Sequence, residues 1–292
     1  MLKIFLFFFT NLAISQSLFI FDNETKKPIP FTNISYLKDE SIIDGDYCNE
    51  NGLFTIKKNI NFDKIAFSCV GYETKVVNDI SNIDTLYLIR KIILLDEIVL
   101  SKNKSNTFSI LGYSKSKKKI GLSGGKGFEI CVFIQNPYKE KKYIKSFLFK
   151  VRRKENYKTA IRVHYYKTKS NIIEPNEEIL TEDIVRYFDG KTKEMVEIDV
   201  DGLGLELPPE GAFIGIEWLG IIDEKTGEFV EKKESWSDTS IGINDEINKP
   251  LTFIKNTAKK DTWNNTEKIK EELKEIVKFK NYPNASFGIK IY

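Results

Sequence analysis

The sequence predicts an all-β protein that consists of two β-sandwich domains, with one helix late in the chain. Residues 18–100 form short apolar or alternating runs that Gly, Asn and Asp interrupt at intervals of about 8–12 residues, which is typical of a small β-sandwich. Longer apolar and alternating runs between residues 128 and 291 predict a second, larger sandwich. Apolar residues show no helical periodicity in the first of these regions.

In the first domain each apolar run is expected to form one strand, because β-branched and aromatic side chains fit a half-buried pleated surface. One short strand is predicted between turns at 44–46 and 49–52, and the other runs cover residues 18–21, 30–36, 53–56, 64–70, 74–77, 85–89 and 95–100. Residues 16–100 are therefore expected to be a β-sandwich of short strands.

A polar segment separates the two domains. Residues 101–106 read Ser-Lys-Asn-Lys-Ser-Asn and contain no apolar side chain, so they are predicted to be an exposed linker. Residues 107–292 are predicted to form the second sandwich, with a jelly-roll-like arrangement. Its expected strands cover residues 108–111, 128–134, 144–151, 160–166, 195–200, 212–219, 252–254 and 286–291.

One helix is predicted at about 265–278. Asn264 stands three residues before Glu267, which is the spacing of an N-terminal cap. Apolar residues then fall on one helical stripe, with Lys and Glu elsewhere: Ile269, Leu273, Ile276 and Val277.

Residues 1–15 have the layout of a cleavable signal peptide. Lys3 precedes an apolar run, and Ala13 and Ser15 occupy positions −3 and −1 of a cut after Ser15. A spanning helix needs about 20 apolar residues, which is more than this run or any later stretch offers. The mature chain is therefore expected to be exported and to contain no transmembrane segment.

Charge and cysteine content narrow the function classes. The formal net charge of +3 at pH 7 is close to neutral for a chain of this length, so nucleic acid is not an expected partner. The three cysteines, Cys48, Cys69 and Cys131, are interpreted as small buried hydrophobes. A disulfide between Cys48 and Cys69 is the alternative, since an exported protein can form one.

Four motifs in the first domain occur in a characteristic order. They read D-N-E-T-K-K-P-I at 22–29, C-N-E-N-G-L-F at 48–54, F-S-C-V-G-Y at 67–72 and L-D-E-I-V at 95–99. In these motifs, residues 17–100 resemble the carboxypeptidase-regulatory-like domain, a transthyretin-like sandwich of exported proteins in Gram-negative bacteria. The sequence departs from that family at Cys48 and Asn49, where Thr and Asp are usual, and this puts the turn geometry in question.

The resemblance implies a compartment and a kind of partner. It places the chain in the periplasm, at the outer membrane or outside the cell, with an envelope protein or a glycan as partner. It carries no catalytic residue over to this chain. The second region bears a weaker similarity to galactose-binding-like sandwiches, with no motif specific enough to transfer residues.

The sequence predicts no catalytic residue, no metal site and no cofactor. A zinc carboxypeptidase uses two His ligands and a carboxylate, whereas His164 is the single histidine of this chain. His164 lies in a predicted strand, and the chain has no G-x-S-x-G motif for a serine nucleophile. His164 is therefore interpreted as structural, and a hydrolase that uses it is the third choice.

The tryptophans are the candidate binding residues. Trp218 lies in a strongly apolar run and is predicted to be buried, whereas Trp236 and Trp263 lie in polar, loop-like segments where a ring could stack on a sugar. The leading interpretation is an exported, non-enzymatic envelope protein that acts as a binding or structural module. The alternative is a glycan-binding accessory protein of an outer-membrane uptake system.

Overall fold

The computed structural model of the chain describes residues 16–92, 107–115, 121–153, 158–189, 195–230, 236–274 and 277–292. In these residues the protein is all-β, with sheets packed as sandwiches, which confirms the predicted fold class. The predicted signal peptide 1–15, the strand at 95–100 and the linker 101–106 lie outside the described residues.

Seven described strands form the N-terminal sandwich. They are β1 (Ser17–Asp22), β2 (Asn33–Lys38), β3 (Ser41–Tyr47), β4 (Leu53–Thr55), β5 (Lys64–Ser68), β6 (Lys75–Val77) and β7 (Thr85–Leu88). One sheet has the order β4-β1-β7 and the other β3-β2-β5-β6. Alternate residues of the strands, such as Leu18 and Ile20 of β1 and Ile34 and Tyr36 of β2, fill a core between the sheets.

The turn at 49–52 forms with Cys48 and Asn49 at its start. The side-chain Oδ1 of Asn49 accepts hydrogen bonds from the backbone N–H of Asn51 and Leu53, at 3.0 and 2.9 Å, as an Asp would. Gly52 has a φ of 73°, which suits glycine because it has no Cβ. Asn49 therefore supplies the acceptor that this turn requires.

The turn predicted at 44–46 is wrong, because these residues lie within β3, where Gly45 is paired with Ser35 of β2. Position 45 requires glycine for a different reason, which is the space available for a side chain. A Cβ at this position would stand 2.6 Å from Cα of Ala258, a residue of the second sandwich. Gly45 thus permits close approach of the two domains rather than a change of chain direction.

The second sandwich is larger. Its strands are β8 (Ser109–Gly112), β9 (Gly121–Gly125), β10 (Phe128–Ile134), β11 (Lys142–Arg153), β12 (Lys158–Lys169), β13 (Ile172–Glu178), β14 (Val185–Phe188), β15 (Met195–Asp199), β16 (Glu206–Leu207), β17 (Ala212–Ile222), β18 (Trp236–Asn244), β19 (Thr252–Asn256), β20 (Lys260–Asn265), β21 (Asn284–Ala285) and β22 (Phe287–Ile291). A short 3₁₀ turn occupies Asp201–Leu203.

These strands form two facing sheets. The first has the order β13-β12-β17-β10-β19-β20, with β14 paired to β12. The second has the order β21-β18-β11-β22-β8, with β15 and β16 paired to β11 and β9 paired to β18. The core between them includes Trp218, Phe147, Phe149, Phe213 and Phe287, each fully buried.

The helix α1 covers Thr266–Leu273 and is shorter at its C-terminal end than predicted; residues 275–276 lie outside the described residues. The prediction of Asn264 as its cap is wrong. Asn265 is the cap, and its side chain accepts the backbone N–H of Glu267 at 3.2 Å. Asn264 is instead paired with Ile254, because β20 continues one residue further than the capping motif suggests.

All three cysteines are buried free thiols, so the alternative of a Cys48–Cys69 disulfide is not formed in this structure. Cys48 takes part in hydrogen bonding instead. Its sulfur accepts the N–H of Thr32 at 3.0 Å and donates to the carbonyl of Ile29 at 3.3 Å. Among the described helices none is long and apolar enough to cross a membrane.

The two sandwiches meet through an apolar contact as well as through polar groups. Phe31 and Tyr47 of the first domain pack against Ala160, Leu219 and Ile222 of the second, and all five are buried. This contact places the end of β3 over the outer face of β12 and β17.

Candidate functional site at the junction of the two sandwiches

Charged residues converge on the outer face of the first sheet of the second sandwich. The antiparallel register places Arg162 of β12 and Glu129 of β10 on either side of Glu217 of β17. Side chains of one strand alternate between its two faces, so His164 lies on the same face as Arg162. We define the junction cluster as seven residues: Glu129, Arg162, His164, Glu178, Asp183, Glu217 and Lys255.

Arg162 connects the two domains. Its guanidinium donates two hydrogen bonds to the carboxylate of Asp183, at 2.7 and 3.0 Å, and one to Oε2 of Glu217 at 3.1 Å. Its Nη2 also donates to the carbonyl of Phe31, in the first sandwich, at 2.8 Å. Phe31 has a φ of 52°, an uncommon backbone conformation for an aromatic residue, and the interface on both sides holds it there.

Within the junction cluster, Glu217 is the carboxylate with the largest number of described hydrogen-bond partners. Its Oε1 accepts hydrogen bonds from the hydroxyls of Tyr47 and Thr257, at 2.5 and 3.0 Å, and its Oε2 faces Arg162 and His164. Burial alone would raise the pKa of Glu217, but the hydrogen bond from His164 and the charge of Arg162 hold it well below its usual range. Glu217 is therefore ionised at neutral pH.

His164 lies between two carboxylates. Its Nδ1 is 2.6 Å from Oε2 of Glu178, and its Nε2 is 3.4 Å from Oε2 of Glu217. Burial alone would lower its pKa, but the charge of Glu129 and the contacts with Glu178 and Glu217 raise the pKa of His164 to about 10. In this arrangement the ring is protonated at neutral pH and donates from both nitrogens.

Glu129 has two different environments at its two oxygens. Its Oε1 accepts the hydroxyl hydrogen of Tyr166 at 2.7 Å. Its Oε2 lies 3.2 Å from the ammonium of Lys255 and accepts no hydrogen bond from a described residue. Lys255 in turn lies over the ring of Trp263, 4.5 Å from its centroid, and 5.5 Å from the centroid of Tyr166.

The chemistry of the junction cluster is that of a buried ionic network. Glu129, Arg162, His164 and Glu217 are 0–6% exposed, and both ring nitrogens of His164 face carboxylates. The groups stabilise one another and the contact between the domains. Three of them, Glu129, His164 and Glu217, also present metal-ligating atoms within 4.8 Å of one another.

The sequence-predicted tryptophans have different environments. Trp218 is fully buried, as predicted, and its indole N–H donates to the carbonyl of Thr239 at 3.2 Å. Trp263 is not in a loop: it lies in β20, is half-buried, and contacts the ring of Tyr166 edge-on, with centroids 5.7 Å apart. Trp236 also lies in a strand, opposite Gly125, and its side chain is outside the described part of the structure.

The loop prediction for these two tryptophans is wrong for a physical reason. The strands β18 and β20 have mostly polar sequences, and pairing along a sheet is made by backbone groups that no side-chain pattern reveals. Among the described strands, β20 is paired with β19 only, so the ring of Trp263 can be half-exposed at the edge of the sheet.

Sequence reasoning did not identify the junction cluster, although a signal was present. Glu129, Arg162, His164 and Glu217 interrupt runs that are otherwise strongly apolar. A charged residue inside a buried strand is costly unless it is paired, so several such interruptions on neighbouring strands indicate a shared polar site.

Comparisons of this chain with family models, curated proteins and solved structures found no match.

Proposed function

We propose that this chain is an exported, non-enzymatic module of a bacterial cell envelope, with a binding or structural role. The observation that carries the proposal is the junction cluster. Its charged groups belong to the second sandwich, are largely buried and bind one another. Glu217 and Arg162 also bind the hydroxyl of Tyr47 and the carbonyl of Phe31 in the first sandwich, which stabilises a fixed arrangement of the domains. Such a pair of domains is suited to present a surface to a partner rather than to process a substrate.

The sequence supports the envelope location. Residues 1–15 have the pattern of a signal peptide, and the motifs at 22–29, 48–54 and 67–72 resemble those of the carboxypeptidase-regulatory-like domain. The physical features that these motifs require are consistent with the structure. Gly52 and Gly71 have positive φ values of 73° and 82°, and Asp22 and Asn49 accept backbone hydrogen bonds within their turns.

Mass spectrometry of the protein from its native host tests export. The mature chain should begin at or near Gln16 and should be recovered with the cell envelope or the medium. Recovery of a soluble cytoplasmic chain with Met1 intact would contradict the proposal.

The non-enzymatic part of the proposal has its own test. Wild-type protein and a His164→Gln variant should be assayed with broad sets of ester and peptide substrates, after circular dichroism has verified that the variant is folded. We expect no turnover above background for either protein. Turnover by the wild type that a folded variant lacks would favour a hydrolase instead.

Trp263 favours the alternative of a glycan-binding accessory protein. Its half-buried ring lies on an edge strand, beside the cation of Lys255, and sugars stack on such rings while polar groups orient them. Under this alternative, a glycan array gives specific binding that Trp263→Ala abolishes without lowering the melting temperature. Unchanged binding in the variant, or none in the wild type, excludes Trp263 as a glycan platform.

A further inference from the structure

The junction cluster contains more negative than fixed positive charge. Four carboxylates, those of Glu129, Glu178, Asp183 and Glu217, face two permanent cations, Arg162 and Lys255. Because these groups are largely removed from water, such an excess is costly unless a proton or another cation balances it.

The orientation of His164 is that of a metal ligand. Metal-binding histidines commonly donate the ring N–H that faces away from the metal to a carboxylate. Nδ1 of His164 is 2.6 Å from Oε2 of Glu178, whose other oxygen accepts the backbone N–H of Tyr165 at 2.9 Å and that of Leu180 at 3.2 Å. Glu178 is thus held in place, and Nε2 of the ring is directed at Glu217.

The carboxylates of Glu217 and Glu129, beside Nε2, are also fixed by hydrogen bonds from tyrosine hydroxyls. The hydroxyl of Tyr47 donates a hydrogen bond to Oε1 of Glu217, and the hydroxyl of Tyr166 donates one to Oε1 of Glu129. Oε2 of Glu217, which also accepts a hydrogen bond from Arg162 at 3.1 Å, lies 3.4 Å from Nε2 of His164. This distance is close to the separation of about 3.3 Å between two ligands of a tetrahedral zinc ion with bonds near 2.0 Å. Oε2 of Glu129 is buried, lies 3.2 Å from the ammonium of Lys255 and accepts no hydrogen bond from a described residue.

We propose that Glu129, His164 and Glu217 bind one divalent first-row metal ion, of the zinc or manganese type, as a structural site at the junction of the two sandwiches. One nitrogen and two carboxylate oxygens are suitable ligands for such ions. The ion takes the place of the proton on Nε2 of His164. Lys255 then moves from Glu129 toward the rings of Trp263 and Tyr166, over which it already lies.

Metal analysis of the full mature chain tests the proposal. Because the ligands are buried, an ion bound during folding should exchange slowly and remain through purification. Protein expressed with added Zn²⁺ should carry about one equivalent, measured by inductively coupled plasma mass spectrometry. Glu129→Gln and His164→Gln should lose it, and Glu178→Gln should bind about 10–100-fold more weakly.

Glu197→Gln is the matched control. Glu197 lies in β15 of the other sheet and pairs with Lys290, so this variant should retain the full equivalent of zinc. Equal metal content in the wild type and Glu129→Gln would overturn the proposal.

A second measurement covers the case in which the ligand variants do not fold. Wild-type protein that has been unfolded with chelator and refolded should be titrated with Zn²⁺, Mn²⁺ and Co²⁺. A ligand that binds only the folded state raises the melting temperature with concentration, and bound Co²⁺ should show visible absorption bands distinct from those of the hydrated ion. No rise in melting temperature and no change in the Co²⁺ bands would overturn the site.

Discussion

The charged carboxylate of Asp22 binds several groups within the first sandwich. Its Oδ1 accepts the backbone N–H groups of Glu24 and Thr25, both at 2.8 Å, and its Oδ2 accepts Tyr72 and Arg90, both at 2.8 Å. Burial alone would raise the pKa of Asp22. The hydrogen bonds from Thr25, Tyr72 and Glu24, with the charge of Arg90, instead hold it well below its usual range.

This lowered pKa makes stability depend on pH in a definite direction. The folded state favours ionised Asp22, so its contribution is complete above the unfolded pKa of about 3.9 and is lost as the pH falls toward the folded pKa. Asp22→Asn should lower the free energy of unfolding by roughly 1.5–3 kcal/mol at pH 7, with a smaller loss at pH 3. Urea unfolding at both pH values measures this difference, with the exposed Asp84→Asn as control. An equal loss at both pH values would contradict the assignment.

At the scale of the element, α1 depends on its cap. Asn265 accepts the N–H of Glu267, one of the four donors that a helix start leaves without a partner. Asn265→Ala should therefore lower the free energy of unfolding by about 1 kcal/mol, which is roughly 2 °C in the melting temperature of a single cooperative unit of this size. Asn264→Ala should cost less than about 0.5 kcal/mol, because Asn264 is exposed and does not cap. Calorimetry of the two variants compares them directly, and equal shifts would mean that the cap is not where the structure places it.

The elements also show how far the sequence could predict this structure. The apolar run at 128–134 coincides with β10, and the runs at 160–166 and 212–219 lie within β12 and β17. These strands could be predicted because a strand with a buried face carries apolar side chains on that face. β18 and β20 contain mostly polar residues and were not predicted as strands. Their pairing depends on backbone hydrogen bonds with neighbours that are distant in sequence.

The candidate site could be predicted less well than the fold. His164 was recognised as a strand residue, but its carboxylate partners come from three other parts of the chain, Glu129, Glu178 and Glu217. Strand order decides which of these residues become neighbours, and no local pattern in the sequence specifies that order. Trp263 was expected to be an open ring, yet its surroundings include Tyr166, which lies about a hundred positions earlier in the chain.

At the scale of the whole molecule, Arg162 couples the two sandwiches. Arg162→Met should leave Asp183 without its cation and Glu217 with His164 alone, and should lower the free energy of unfolding by about 3–5 kcal/mol. We expect calorimetry of the wild type to show one cooperative transition, and the variant to show separate unfolding of the two domains. The exposed Arg186→Met, on the strand β14 beside β12, should retain the single transition. A single, unshifted transition in Arg162→Met would show that Arg162 and its hydrogen bond to the carbonyl of Phe31 do not couple the domains.

The hydrogen bonds between the two sandwiches at the junction have an evolutionary consequence. Protein domains can be exchanged between genes as independent modules, but here buried charges of the second sandwich bind polar groups of the first. A different first domain would lack the hydroxyl of Tyr47 and the carbonyl of Phe31 at the positions where Glu217 and Arg162 require them. It would also have to lack a side chain where Gly45 meets Ala258. The two halves are therefore expected to be inherited together, with substitutions on one side of the junction matched by substitutions on the other.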